Sequence, residues 1–192
     1  MGSEETRRKW NRRYSEAVSE SFLPEPNPLA AGLRHRFLGG RMLDAACGLG
    51  RGIATAGDAF EVIYAVDLSD VGVGLARRRW GGDRRIRWIV GDVTRMNWPG
   101  DFFGLVCAFG FTDHPFFSRL RGLIAPGGMM LYEGFSRRQL EVKPTLDRAW
   151  TATPAEIAAL FSGWETLVCE ETTAPPFRVR FAAVRPGKIN TR

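Results

Sequence analysis

The sequence predicts an open α/β fold, strands alternating with helices, and three observations predict it. Short apolar runs rich in branched residues alternate with longer amphipathic or polar stretches. The first such run, Met42-Leu43-Asp44-Ala45-Ala46, ends in the glycine-rich turn Cys47-Gly48-Leu49-Gly50 and feeds a helix. The first three strands end in acids, Asp44, Asp67 and Asp92, which places three carboxylates on the carboxyl edge of one sheet. That edge is where open α/β folds bind their ligands.

Composition bounds the answer. At 192 residues the chain fits one domain with a full hydrophobic core, and its 44% apolar content is ordinary for a globular protein. No window approaches the ~18 apolar residues of a membrane span. The polar start Met1-Gly2-Ser3-Glu4-Glu5 shows no signal peptide, so a cytoplasmic location is expected. Cys47, Cys107 and Cys169 are odd in number and widely spaced, which fits neither a disulfide framework nor a zinc pattern; buried thiols are expected. The net charge of +6 is carried almost wholly by arginine, in clusters at Arg7-Arg8, Arg12-Arg13, Arg77-Arg78-Arg79 and Arg84-Arg85. Such clusters suit an anionic partner, and equally suit solvated helix faces and helix C-terminal turns.

The elements follow in order. Residues 4 to about 20 predict a polar helix with Trp10, Tyr14 and Val18 on one stripe. That stripe either packs on the body or closes over a ligand as a lid. Pro24-Glu25-Pro26-Asn27-Pro28 is a stiff connection, because each proline fixes φ. A short helix from about Leu29 to Leu38 is expected, stopped by Gly39-Gly40. The chain thus divides into a helical cap, 1–40, packed on a single core, 41–192.

The first strand starts at Arg41. In its turn, Gly48 and Gly50 allow close backbone approach to a ligand. A dinucleotide fingerprint needs a third small residue where Ile53 stands, so the Gly-x-Gly-x-x-Gly pattern fails. Asp44, on the strand itself, points to a ligand with positive charge. A helix from Arg51 to about Ala59 precedes a second strand, Phe60 to Val66, ending at Asp67-Leu68-Ser69. Asp67 lies 17 residues after Gly50 (67 − 50), near the spacing of an acid that takes two ribose hydroxyls. Ser69 is placed to cap the helix running to about Trp80. Ile86 to Val90 is the third strand; Asp92 behind it suits an adenine amine, and Val93 the ring.

Residues 101–109 read as the fourth strand and Pro115 to Ile124 as a helix. Ala125-Pro126-Gly127-Gly128 reads as a turn, Met129 to Tyr132 as the fifth strand, and Glu133-Gly134-Phe135 as its exit. Residues 136–153 look polar and irregular. Thr153-Pro154-Ala155-Glu156 has the residues of a capped helix start, and Thr166 to Glu170 and Phe177 to Val184 read as the last strands.

Leu43-Asp44-Ala45-Ala46-Cys47-Gly48-Leu49-Gly50-Arg51, Ala65-Val66-Asp67-Leu68-Ser69, Gly91-Asp92-Val93 and Ala125-Pro126-Gly127-Gly128 together resemble the successive motifs of class I S-adenosylmethionine (SAM)-dependent methyltransferases. Lys9-Trp10-Asn11-Arg12-Arg13-Tyr14 and Glu25-Pro26-Asn27-Pro28-Leu29 resemble the small bacterial tellurite-resistance and thiopurine methyltransferase group. The resemblance implies a doubly wound, mostly parallel seven-stranded sheet with its last strand antiparallel, and an N-terminal helical lid. It implies SAM as cofactor, S-adenosylhomocysteine (SAH) as product, and no metal. The sulfonium and ammonium of SAM match the charge expected opposite Asp44. Carried over, Asp44, Cys47, Gly48 and Gly50 line the methionine part, Asp67 and Leu68 the ribose, and Asp92 and Val93 the adenine. Phe109 starts the loop after the fourth strand. Arg51 faces the methionine carboxylate or the helix surface.

Transfer to a small-molecule acceptor by in-line displacement needs orientation above all, and a general base only if the acceptor is protonated. His114, beside Asp113, is the candidate base. Trp10, Tyr14, Phe111 and Glu133 are candidate acceptor contacts; Phe116 and Phe117 are wall or core. The run Phe109-Gly110-Phe111-Thr112-Asp113-His114-Pro115 departs from the group's histidine-bearing pattern at Gly110 and Asp113, which leaves the acceptor open among thiols, chalcogen oxyanions, hydroxyls and amines. Asp113-His114-Pro115-Phe116 is a near miss to the Asp-Pro-Pro-Tyr/Phe of amino-methylating DNA enzymes, the alternative reading. The short chain lacks an added target-recognition segment, so nucleic acid is not the expected partner. A SAM-binding protein without catalysis is the other alternative. Monomer and homodimer are both compatible with the sequence.

Overall fold

The computed structural model describes residues 3–17 and 24–187. Seven strands form one continuous sheet: β1 (Arg41–Ala45), β2 (Val62–Asp67), β3 (Ile86–Val90), β4 (Phe103–Phe109), β5 (Ile124–Ser136), β7 (Glu165–Glu171) and β8 (Arg178–Val184). Their order is β3-β2-β1-β4-β5-β8-β7, and a two-residue strand, β6 (Thr151–Ala152), adds to the end of β5. Chain order reverses between β1 and β4, so the switch point of the sheet lies at the glycine turn. Only β8 runs against its neighbours β5 and β7. This is the Rossmann-like, doubly wound architecture expected.

Strand alternation divides the core in two. Leu43, Val66, Val106, Tyr132 and Phe181 face one side, where α4 (His114–Leu123) contributes Phe116, Phe117 and Leu120 and α6 (Pro154–Leu160) contributes Ile157. Met42, Ile63, Leu105, Met129 and Leu131 face the other, covered by Ile53 and Ala56 of α2 (Arg51–Ala56) with Leu29 and Ala30. Phe116 and Phe117 are core residues, and the Phe117 ring meets Tyr132 edge-on at 5.3 Å. The remaining helices are α1 (Ser3–Ala17), α3 (Asp70–Trp80) and α5 (Gln139–Val142).

The caps form where the residue types place them. The Ser69 hydroxyl accepts the Gly72 N–H at 3.0 Å. At α6, Thr153 Oγ1 accepts the Glu156 N–H at 3.2 Å and the Glu156 carboxylate accepts the Thr153 N–H at 2.8 Å, a closed capping box.

Several local expectations are corrected. The helix expected over 29–38 is two short 3-10 turns, Pro28–Ala30 and Arg34–Arg36. Gly32 and Gly39-Gly40 interrupt the segment, and only Leu29 and Ala30 anchor its first turn. The helix after the glycine turn is α-helical only to Ala56; Gly57–Ala59 tightens to a 3-10 turn. Residues 125–128 belong to β5 instead of forming a separate turn, because Gly127 and Gly128 exchange backbone hydrogen bonds with Arg185. The 136–153 stretch holds α5, a 3-10 turn at Arg148–Trp150 and β6. Cys47 and Cys107 are buried, but Cys169, on the edge strand β7, is exposed. Val18, expected on the first helix, lies outside the described residues.

Candidate active site

The glycine turn is held by its neighbours on both sides. Gly48 and Gly50 take φ of 51° and 89°, a left-handed backbone that side chains resist. Asp67, ending β2, accepts the Gly48 N–H on Oδ2 and the Ser69 N–H on Oδ1, each at 2.8 Å. Its carboxylate thus ties the turn to the start of α3 and still keeps lone pairs for further donors. The Trp80 indole N–H donates to the Leu49 carbonyl at 3.0 Å and lies under Gly50.

Asp44 is buried on β1, with Oδ2 accepting the Ile53 N–H of α2 at 3.2 Å. Its carboxyl occupies the space a side chain on Gly52 would need. Burial pushes its pKa up to about 8, against the opposing pull of the Ile53 and Gly52 amides. Burial pushes the Asp67 carboxyl up as well, against the Ser69, Gly48 and Leu68 amides. Among the described residues, no cation lies within 4 Å of either carboxylate. Two buried acids without a cation at one turn form a receptor for a cationic ligand with hydroxyl donors. SAM fits that donor set.

On the same face of the sheet, beyond Asp44, stand Phe109, Glu133 and Arg180, in register across β4, β5 and β8. Arg51, the first residue of α2, pairs with Glu133 at 2.9 Å and lies 5.7 Å from the Phe109 ring centre. Of the two places the sequence allowed Arg51, neither describes this ion pair. Arg180 takes the other Glu133 oxygen at 2.9 Å. Burial pushes the Glu133 carboxyl up, but Arg180 and Arg51 outweigh it and hold it below the usual range. Glu133 therefore stays ionised between two guanidiniums.

At the third strand end, Asp92 accepts the Thr94 N–H at 3.0 Å and the Thr94 hydroxyl at 2.6 Å, capping a short turn in which Val93 is buried. Leu68 is half-buried between Asp67 and Ser69.

α1 lies over this crevice. The Tyr14 hydroxyl stands against Gly48, and its ring against Gly72 at 2.8 Å from where a Cβ would be. Burial, reinforced by the charges of Asp67 and Cys47, pushes the Tyr14 hydroxyl pKa up, so it is a neutral donor. Asn11 anchors the helix, donating to Asp70 at 2.8 Å and accepting from the Ser69 hydroxyl at 2.6 Å. Trp10 packs between Tyr14 and Trp150, with centroids at 6.0 and 6.3 Å. Lys9 lies over the Trp150 ring at 3.9 Å. The sequence reading had no signal for Gly72 or Trp150 as the seats of this helix.

The catalytic candidates follow β4. Asp113 is the N-cap of α4, its carboxylate accepting the Phe116 N–H at 2.7 Å. His114 opens that helix, which packs on the sheet face opposite Asp44 and Glu133. Its Nε2 is buried without a hydrogen-bond partner among the described residues. Nearby, Thr112 and Tyr132 share a hydrogen bond at 2.9 Å, and burial pushes Tyr132 up to about 12. Phe111 is half-buried against Phe116 and Phe117. Among the described residues, no group of His, Cys, Asp and Glu is placed to hold a metal ion, and no helix is long and apolar enough to cross a membrane.

Residues 42–128, from β1 into β5, match the methyltransferase domain family. No curated protein sequence matches the chain. Geranyl diphosphate C-methyltransferase from Streptomyces coelicolor A3(2), solved with Mg2+, geranyl diphosphate and SAH, is similar in structure. The TM-score is 0.69 at 13% identity, covering 95% of this chain and 97% of that one. The N-methyltransferase NodS from Bradyrhizobium japonicum WM9, solved with SAH, is similar at TM-score 0.66 and 14% identity, covering 94% and 98%. A structure solved for the conversion of a disulfide bond into a thioacetal group during echinomycin biosynthesis is similar at TM-score 0.66 and 18% identity, covering 96% and 94%. With that match inside this fold, residues 42–128 are a methyltransferase domain, set in a chain of Rossmann-like architecture.

Proposed function

We propose that the chain moves the methyl group of SAM to a small-molecule acceptor by in-line displacement. The observation that carries this reading is the pair of buried carboxylates, Asp44 and Asp67, at a glycine turn with no cation beside them among the described residues. SAM, when bound, supplies a methyl group on a sulfonium leaving group. Asp44 faces its positive charge, with Cys47, Gly48 and Gly50 along the methionine part. Asp67 and Leu68 take the ribose, and Asp92 and Val93 the adenine. Phe109 borders the methyl side. Tyr14 and Trp10 cover the crevice and exclude water, so that α1 acts as a lid. The 1–40 cap and 41–192 core then form one working unit.

On the acceptor side, His114 is the group able to take a proton, Asp113 fixes the start of its helix, and Phe111 and Glu133 border the approach. The stretch from Trp10 to Tyr14 resembles the tellurite-resistance and thiopurine group, which supports thiols and chalcogen oxyanions as the acceptors to screen first. The protein acts in the cytoplasm, without a metal.

The test is calorimetric titration of SAM and SAH into the full chain, with NAD as control. SAM binding that is lost in Asp67→Ala supports the reading. A folded protein that binds neither SAM nor SAH overturns it. Once an acceptor is found, unchanged turnover in His114→Ala at saturating acceptor removes the base role.

A further inference from the structure

β8 runs against its neighbours, so its first residues lie at the carboxyl edge, where the other strands end. Arg180 stands opposite Glu133, and Arg178 opposite Phe135, on the sheet face that carries Asp44 and Phe109. Arg51 reaches the same spot from α2. Three guanidiniums therefore gather around one buried carboxylate at the border of the cofactor crevice. Glu133 is saturated by Arg51 on Oε1 and Arg180 on Oε2; the exposed Glu170 adds a longer contact to Arg180 at 3.6 Å. Arg178 is different. It is half-buried over the Phe135 ring, 4.9 Å from its centre, and has no carboxylate within 4 Å among the described residues. A guanidinium packed on an aromatic face presents its donor fork edge-on, the geometry that takes a carboxylate or phosphate in two parallel hydrogen bonds. Counting the side chains that meet here, three cations face Glu133 and Glu170, leaving the Arg178 charge on Phe135 without a paired carboxylate among the described residues.

We propose that Arg178, backed by the unused donors of Arg51 and Arg180, forms a subsite for an oxyanion group of the methyl acceptor, a carboxylate or a phosphate. The assignment to the acceptor rests on the methyl-transfer reading above. It makes the acceptor an anionic small molecule, oriented by its charged end so that its nucleophile meets the crevice past Phe109.

The test measures binding of inorganic phosphate, and separately of malonate, to the full chain by line broadening and calorimetry, with and without saturating SAH. The variants are Arg178→Gln, Arg178→Lys and, as a control of equal charge loss on an exposed arginine elsewhere, Arg84→Gln. The expected result is saturable anion binding that Arg178→Gln weakens at least fivefold and Arg84→Gln leaves within twofold. SAH affinity should stay within twofold in every variant. Arg178→Lys keeps the charge without the fork and should fall between, which covers the case where Arg178→Gln fails to fold. Equal anion affinity in wild type and the Arg178 variants overturns the subsite. Loss of SAH affinity with unchanged phosphate binding also overturns it, because Arg178 then serves the cofactor carboxylate. If the wild type binds no SAH while anion binding still depends on Arg178, the methyl-transfer reading fails and the acceptor assignment falls with it.

Discussion

Asp44 makes a sharp prediction, because burial sets its charge state. Burial raises its pKa to about 8. At pH 7 it therefore carries its proton in about nine molecules of ten, and ionising it costs about 1.4 kcal/mol. A cationic ligand seated against Asp44 favours the ionised form, so binding expels that proton. SAM affinity should rise about tenfold per pH unit between pH 6 and 7 and flatten near 8. Calorimetry at pH 7 in two buffers of different ionisation enthalpy should read release of about 0.9 proton per SAM bound, the fraction set by a pKa one unit above the working pH. Staying at or below pH 7.5 keeps the ligand's own ammonium charged. Asp67, also pushed up by burial, acts in the same direction, so Asp44→Asn is the discriminating variant. It should bind more weakly at pH 7.5 and lose most of the pH dependence. The linkage has a second sign to check. A carboxyl whose folded pKa exceeds its unfolded value of ~3.9 binds its proton more tightly in the fold. The ligand-free protein should therefore lose stability through this group as pH rises from about 4 to about 8, and Asp44→Asn should flatten that slope. Affinity independent of pH below 8, with no proton released, would refute the reasoning.

Further outcomes follow from the packing of α1 and from the caps. Trp10, wedged between Tyr14 and Trp150, should change its fluorescence when SAM saturates the crevice; a spectrum unmoved at saturation counts against the lid. Gly48→Ala adds a Cβ at a left-handed φ and against the Tyr14 hydroxyl, so it should cost about 1–2 kcal/mol in chemical denaturation. Part of that loss should return in the Tyr14→Phe background, and no recovery would mean that the backbone alone carries the cost. Thr153→Ala opens the capping box of α6 and should cost about 1 kcal/mol without changing SAM affinity, read by denaturation and calorimetry side by side.

The glycine turn and the carboxylates around it were legible because these residues are local. Strand, turn and helix follow one another within Arg41 to Ala56, and each acid lies at or just past the end of its own strand, so spacing alone orders them. The caps at Ser69 and Thr153 are legible for the same reason, since each acts within three residues of itself. Where local signals misled, tertiary partners decided. Gly127 and Gly128 read as a turn until Arg185, far along the chain, supplies their hydrogen bonds and draws them into β5. Cys169 sits in a strand as expected, yet its exposure depends on β7 being the sheet's edge, a matter of strand order that the strand itself does not encode.

The arginines around Glu133 were the least legible, and the reason is topological. Arg178 and Arg180 belong to a run that reads only as a closing strand, at the far end of the chain from Arg51 and distant from Glu133. An antiparallel last strand reverses which end of the run is functional: its beginning, not its end, reaches the carboxyl edge. Once β8 is reversed, every second residue from Arg180 back to Arg178 faces the crevice side, and Glu133 gains the second cation that keeps it charged while buried. Removing one partner from such a buried carboxylate leaves a charge without compensation, typically a loss of about 3–5 kcal/mol. Arg51 and Arg180 are each about a third exposed, so solvent screens much of either share and the loss falls below that range. Arg180→Gln should therefore destabilise the fold and raise the Glu133 pKa, whereas Arg178→Gln, which removes no ion pair, should leave stability nearly unchanged. Equal destabilisation by the two substitutions would mean that Arg178 serves the fold, and the division between a structural arginine and a binding arginine on adjacent positions of one strand face would be lost.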